Sequence, residues 1–167
     1  MATCAPLVHP TTLGALIEVE SNGNPYAVSI NHPQALTGRG VELPAFAAPH
    51  SKREALELTQ SLLARGLGVS VGLAQINVEQ LAQEHLRLAD LFNPCANLAA
   101  AQRVLLDCEA NQPRHIVLSA ALRLRRTLSC YNTGDYDTGL RNHYVLNIRH
   151  AAARSVYRGF STTRRPA

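Results

Sequence analysis

A mostly α fold with one small, irregular β element, in a single domain, is what this sequence predicts, on three observations. Apolar residues recur at helical spacing through most of the chain, and start and stop signals bound the runs. Only residues 26–30 and 66–72 lean towards extended backbone. The 167 residues, 46% hydrophobic and 17% charged, suffice to bury one core and are too apolar for disorder.

Pro10-Thr11-Thr12 opens a first helix that runs to Ser21, where Asn22-Gly23-Asn24-Pro25 stops it. Residues 26–30, with the turn signal Thr37-Gly38-Arg39-Gly40 inside 36–44, predict a small irregular hairpin. Ser51-Lys52-Arg53-Glu54 is a capping box. The helix it starts carries Ala55, Leu58 and Leu62 on one face and closes at Gly66. The glycine-rich stretch 66–72 is extended, and no Gly-Lys-Ser/Thr follows to make it a phosphate loop. A short helix is expected from Gly72 to about Glu84. Asn93-Pro94-Cys95-Ala96-Asn97 turns and caps the next helix, which shows Leu98, Ala101, Leu105 and Cys108 on one face until Pro113 breaks it. Another helix carries Ile116, Ala120, Leu124, Thr127 and Leu128 to Cys130. Tyr131-Asn132-Thr133-Gly134-Asp135 is a loop, and a last helix spans roughly 141–158. The core then covers about 10–158, and 159–167 is a frayed tail.

In the first helix, Leu13, Leu16 and Ile17 fall at i, i+3 and i+4, and Glu20 completes the series at i+7, within the apolar stripe. Glu18 lies off that stripe and reads as solvated. Desolvation raises the pKa of a carboxyl on the buried face of a helix's last turn, which suits a proton donor near neutral pH. The bland alternative is a glutamate bent out to solvent as the helix frays.

The net charge of +4 and pI near 9.1 favour anionic partners only weakly. Arg123, Arg125 and Arg126, and Arg154, Arg158, Arg164 and Arg165, read as solvated helix faces and tail. A nucleic-acid interface would interleave basic with aromatic residues, and aromatics make up 5% of the chain with no Trp. No apolar run approaches the roughly 20 residues that cross a bilayer. The seven histidines show no paired spacing; His9, His32, His50 and His85 read as loop or surface residues.

Cys4, Cys95, Cys108 and Cys130 form no Cys-x-x-Cys pair and have no histidine at ligand spacing, so no metal site is expected. Two disulfides in an oxidising compartment are favoured over four reduced core cysteines in a cytosolic protein. No signal peptide precedes Cys4, so an exported protein would be the mature part behind a start Met. A continuous helix puts Cys95 and Cys108 roughly 20 Å apart, beyond disulfide reach. If the flanking helices form an antiparallel hairpin, the pairing is Cys95–Cys130 with Cys4–Cys108. A broken helix would give Cys4–Cys130 with Cys95–Cys108.

Several separated motifs resemble one known family. Glu20-Ser21-Asn22-Gly23-Asn24-Pro25 resembles the catalytic segment of family 1 soluble lytic transglycosylases, whose fold is goose-lysozyme-like. Gly72-Leu73-Ala74-Gln75-Ile76 is similar to that family's Gly-Leu-Met-Gln-Ile, and Cys130-Tyr131-Asn132-Thr133-Gly134 to its Ala-Tyr-Asn-Ala-Gly. Asn93-Pro94 with Asn97-Leu98 resembles the segment opening its intervening helix, and Tyr144-Val145 the Tyr-Val of its closing helix. The Cys4-Ala5-Pro6 start, Thr59-Gln60-Ser61-Leu62, Asn93-Pro94-Cys95, Asp107-Cys108 and Ser129-Cys130-Tyr131-Asn132 look like the specialised transglycosylases of type IV secretion systems. That subfamily is periplasmic and opens the wall locally for the secretion channel. Ala74 in place of Met removes an apolar contact beside the substrate groove, which bears on affinity and not on chemistry. A long C-terminal extension, seen in some members, is expected to be missing or cut off.

The resemblance implies a lysozyme-like α+β fold and a lytic transglycosylase. A lysozyme-type hydrolase usually needs two carboxylates about 5 to 9 Å apart, and here only Glu20 sits in a motif. Asp135 and Asp137 are expected to form turns, the alternative being a direct catalytic role. A lytic transglycosylase dispenses with the second carboxylate. Its glutamate protonates the oxygen between N-acetylmuramic acid and N-acetylglucosamine, while the muramyl N-acetyl group stabilises the anomeric centre. Then, ionised, it takes the proton of the sugar's own 6-hydroxyl as a 1,6-anhydro ring closes. No metal or cofactor is implied.

Ser21 either orients the Glu20 carboxyl or caps the helix end. Gln75 offers a donor and an acceptor to the sugar, or makes a polar contact at a helix start. Tyr131 packs on a sugar face, on Glu20 or in the core. Asn132 holds a substrate acetamide or the turn, and Tyr144 hydrogen-bonds the Glu20 carboxyl or packs in the core. As substrate-binding residues these five are expected to share one cleft. The implied partners are peptidoglycan glycan strands and other secretion components, and the implied compartment is the periplasm. The competing readings are a lysozyme-type hydrolase and a non-catalytic wall-binding component.

Overall fold

The computed structural model describes residues 3–81, 86–113 and 118–162. Glu84, His85, Ile116, Arg164 and Arg165 lie outside the described residues. The fold is mostly helical: α1 (Pro10–Ser21), α2 (Pro33–Thr37), α3 (Lys52–Ala64), α4 (Pro94–Ala110), α5 (Ala120–Thr133), α6 (Thr138–Arg141) and α7 (Tyr144–Thr162). The minor β element is an antiparallel sheet of β1 (Val28–Ile30), β2 (Val69–Val71) and β3 (Ile76–Asn77). The chain forms two compact units, residues 20–100 and residues 1–19 with 101–167, so α1 and α4 each contribute to both.

In the unit of residues 20–100, β1 pairs with β2, matching Val28 to Val71 and Ile30 to Val69, and β2 pairs with β3. Val28 and Ile30 thereby pack on a core of Leu62, Leu67 and Val69. This corrects the expected hairpin over 26–44. Leu36 and Leu43 reach the same core without being strands, and residues 41–49 have no regular structure. Ser51 caps α3 as predicted: its Oγ accepts from the Glu54 N–H at 3.2 Å. The Glu54 carboxylate in turn accepts from the His50 N–H at 3.0 Å, one residue upstream of the usual box. Gly66, at φ +72°, lets the chain turn out of α3 towards β2.

Residues 72–75 form a turn, where a helix start was expected. Gly72 and Gln75 adopt φ of +81° and +49°, left-handed values that an α-helix cannot carry. The chain passes instead into β3 and a single 3-10 turn, Val78–Gln80.

In the other unit, α5, α6 and α7 pack on one another, burying Leu128, Val145, Ile148 and Ala151. Tyr131, Asn132 and Thr133, expected in a loop, form the last turn of α5. The helix stops only at Gly134, whose left-handed backbone (φ +71°) directs its N–H to the Cys130 carbonyl at 2.7 Å. The last helix starts at Tyr144 and not near 141, because His143 at φ +67° separates it from α6. It continues to Thr162, so 159–162, expected to fray, are helical.

Arg123 and Arg126, expected to be solvated, are only partly exposed and both are paired. Arg123 bonds Glu109 at 2.8 Å; Arg126 pairs with Asp137 at 3.4 Å and lies over the Tyr136 ring at 5.6 Å. Arg125 is exposed as expected.

Cys108 is bonded to Cys130, with Cα atoms 5.8 Å apart. Cys4 and Cys95 are disulfide-bonded as well, and no cysteine is free. The expectation of two disulfides holds, but both pairings drawn from helix geometry are wrong. The first took the chain after Pro113 as an antiparallel hairpin, which would bring Cys130 back beside the start of α4; the second needed a broken helix, and α4 is continuous from Pro94 to Ala110. In fact α5 lies across the last turns of α4. Glu109 and Gln112 bond Arg123 and Thr127, so one helical turn further on Cys130 reaches only Cys108.

Candidate functional site

Glu20 lies half-buried in the last turn of α1, after the buried Leu13, Leu16 and Ile17. Asn22 and Gly23 end the helix through left-handed backbone, φ +50° and +82°. Ser21, beside the acid, is tied to the turn between β2 and β3: its Oγ donates to the Leu73 carbonyl at 2.8 Å. Glu18 behaves differently. It accepts two hydrogen bonds from the Arg154 guanidinium, at 2.6 and 3.1 Å, on the surface.

Gln75 sits in the same turn. Its side-chain amide donates to the Gly72 carbonyl at 3.0 Å and the Ala27 carbonyl at 3.2 Å, and its Oε1 accepts from the Ser29 hydroxyl at 2.6 Å. Both donors are thus committed to backbone, which ties the turn to the entry of β1. A carbonyl oxygen has two lone pairs, so Oε1 keeps one acceptor position for a further donor.

What holds the turn itself is Asn97, whose part the sequence reading missed. Its side chain is fully buried. It accepts from the Ala74 N–H at 2.8 Å and donates to the Val71 carbonyl at 3.0 Å and the Leu91 carbonyl at 2.9 Å. A signal was present: Asn97 is the polar residue on the apolar stripe of Ala101, Leu105 and Cys108, as Glu20 is on α1. A buried amide persists on such a stripe only when hydrogen-bonded.

Tyr131, Asn132 and Tyr144 belong to the other unit. Tyr131 is half-buried in the last turn of α5, and Tyr144, almost fully buried, opens α7. Asn142 links the two helices: its Oδ1 accepts from the Tyr144 N–H at 3.0 Å, and its Nδ2 donates to Asn132 Oδ1 at 3.1 Å. Asn132 therefore has its oxygen engaged and is itself exposed. Ser129, one turn below, accepts from the Gly139 N–H and donates to the Asp135 carbonyl, both at 2.7 Å, which fixes the segment after α5.

Asp135 is a turn former, as expected. Hydrogen bonds from the Thr138 hydroxyl, then from the backbone N–H groups of Asp137 and Thr138, lower its pKa to about 2. No helix among the described residues is long and apolar enough to cross a membrane.

Comparison with known proteins follows the same outline. Residues 1–147 match the family described as the transglycosylase SLT domain. The type IV secretion system protein virB1 of Brucella abortus biovar 1 (strain 9-941) is 35% identical over 138 residues, which cover 83% of this chain and 54% of that protein. Protein virB1 of Agrobacterium fabrum (strain C58 / ATCC 33970) is 32% identical over 153 residues, 92% of this chain and 58% of the relative. Protein virB1 of Rhizobium radiobacter is 30% identical over 149 residues, 89% and 57%. The chain spans a little over half the length of these relatives. No solved structure matches it.

Proposed function

The chain belongs to the transglycosylase SLT domain family, and from that premise we propose that it is a peptidoglycan lytic transglycosylase with Glu20 as its acid and base. Glu20 protonates the glycosidic oxygen between N-acetylmuramic acid and N-acetylglucosamine, and the C1–O bond breaks. The muramyl N-acetyl group stabilises the anomeric centre. The ionised Glu20 then takes the proton of the 6-hydroxyl, whose oxygen bonds to C1 and closes the 1,6-anhydro ring. One carboxyl makes both proton transfers, and the nucleophile is already part of the substrate.

The observation that carries this reading is the placement of Glu20, half-buried at the carboxyl end of α1. The side chain continues the stripe of Leu13, Leu16 and Ile17 at i+7, at the point where the helix gives way to the loop that begins at Asn22. Ser21, Gln75, Tyr131, Asn132 and Tyr144 are proposed to bind the glycan. Substitution of Gln75, Tyr131, Asn132 or Tyr144 should raise KM for glycan strands more than it lowers kcat, whereas Ser21, beside the acid and tied to the Leu73 carbonyl, should act chiefly on kcat. The names of the relatives support a place in a type IV secretion system, and hence a periplasmic site of action.

Mass analysis of products from purified peptidoglycan tests the chemistry. Anhydro ends, lighter than reducing ends by one water (about 18 Da), are expected, since an intramolecular hydroxyl replaces the water of hydrolysis. Reducing ends alone would make the protein a hydrolase. Glu20→Gln should keep the fold and glycan binding while lowering turnover by about 10² to 10⁴-fold. Near wild-type lysis by that variant would overturn the mechanism.

A further inference from the structure

We propose that Asn97 is a positioning residue for Glu20, acting through the turn at residues 72–75 and Ser21. Asn97 is not needed to start its own helix: Asn93 does that, its Oδ1 accepting from the N–H groups of Cys95 and Ala96 at 2.9 and 3.2 Å. The Asn97 amide reaches away from α4 and spends all three of its hydrogen bonds on other segments, the turn at Val71 and Ala74 and the carbonyl of Leu91. Gly72 is shaped around it. A Cβ there would lie 2.2 Å from Asn97 Nδ2 and 2.6 Å from the Leu91 oxygen, so only glycine admits the amide. Between the two residues that Asn97 clamps lies Leu73, whose carbonyl receives the Ser21 hydroxyl. The line of contact therefore runs from Asn97 through the clamped turn to Leu73, and from there to the residue beside the acid.

The consequence follows from how catalysis depends on geometry. A general acid must hold its proton within hydrogen-bond reach of the leaving oxygen. Misplacement by about 1 Å, even from a change far from the chemistry, can cost about 10²-fold in rate. If the turn loses its clamp, Leu73 no longer offers Ser21 a fixed acceptor, and the end of α1 loses its anchor. Gln75 keeps its own bonds to Ala27 and Ser29, and Tyr131, Asn132 and Tyr144 lie on other segments, so kcat should suffer more than KM.

The inference rests on the assignment of Glu20 as the acid, and the test is a double-mutant cycle on the full chain with two readouts. Asn97→Asp keeps the acceptor for Ala74 and deletes both donors; Asn97→Ser replaces it should the aspartate not fold. Ser21→Ala removes the hydroxyl. Each single variant should lower kcat on purified peptidoglycan by about 10- to 100-fold, with KM within about twofold. The double variant should be no slower than the slower single. Each should also shift the Glu20 carboxyl titration, followed by 13C NMR, in the same direction. Wild-type kcat in Ser21→Ala, or rate losses that multiply in the double variant, would overturn the proposal. If instead Glu20→Gln retained activity, the assignment of the acid would fail, while a shared shift in the Glu20 titration would still show Asn97 and Ser21 coupled to that carboxyl.

Discussion

Two glutamates two positions apart on α1 sit at different phases of the helix, and only Glu20 continues the stripe of Leu13, Leu16 and Ile17. Glu18 turns to the surface and bonds Arg154, with the two side chains 39% and 54% exposed. An ion pair that open contributes at most about 1 kcal/mol. Glu18→Gln is therefore the control for Glu20→Gln: lysis within about twofold of wild type and little change in thermal midpoint. Asp135 supplies a residue-scale test of a different kind. Its pKa falls from the ordinary 3.8 to about 2 because Thr138 and the backbone of 137–138 hydrogen-bond the ionised carboxyl. A depressed folded-state pKa stabilises the fold above the unfolded value, and the contribution is lost as pH falls through the folded one. Wild type should thus exceed Asp135→Asn in thermal midpoint at pH 6. The gap should close as pH falls from about 4 to about 2; a gap constant across that window would contradict the hydrogen-bond account.

At the scale of elements, the Cys108–Cys130 bond joins the last turns of α4 and α5, immediately before Tyr131 and Asn132. It closes a loop across a sequence separation of 22, and by the chain-entropy relation such a cross-link stabilises by about 3 kcal/mol. The double variant Cys108→Ala/Cys130→Ala should lose stability of that order in urea unfolding. It should also raise KM for glycan strands through the loosened turn at Tyr131 and Asn132. Unchanged KM with lost stability would separate the brace from substrate binding. The network of buried Gln112 and Thr127 with the partly exposed Glu109 and Arg123 stands at the same crossing, so the two helices stay in contact when the sulfurs are removed.

For the whole molecule, all four cysteines are in disulfides, which belongs with an oxidising compartment. Protein purified from the periplasm and denatured without reductant should take up no alkylating reagent, and reduced protein should take up four equivalents. Four reactive thiols in active, exported protein would contradict both the bonding and the proposed location. The net charge of +4 adds little to recognition, so short-range contacts and not long-range attraction should dominate binding of the proposed glycan substrate.

Properties that depend on neighbours along the chain were legible in the sequence. The bounds of α1, the cap at Ser51, the strand at 69–71, the proline break after α4 and the turn at Asp135 all follow from local propensity and hydrogen bonding within a few residues. The catalytic candidate was legible for the same reason, since the phase of Glu20 against Leu13, Leu16 and Ile17 is a property of one helix. Contacts between distant segments were decided only by the tertiary structure. Nothing near residue 28 announces that its partner is residue 71, and nothing near Cys130 announces Cys108. Gln75 reads as a helix former until Gly72 must turn left-handed to make room for Asn97. The physical reason is common to these cases: a buried amide or sulfur takes whichever partner packing brings within about 3 to 6 Å, and packing is a property of the folded chain as a whole.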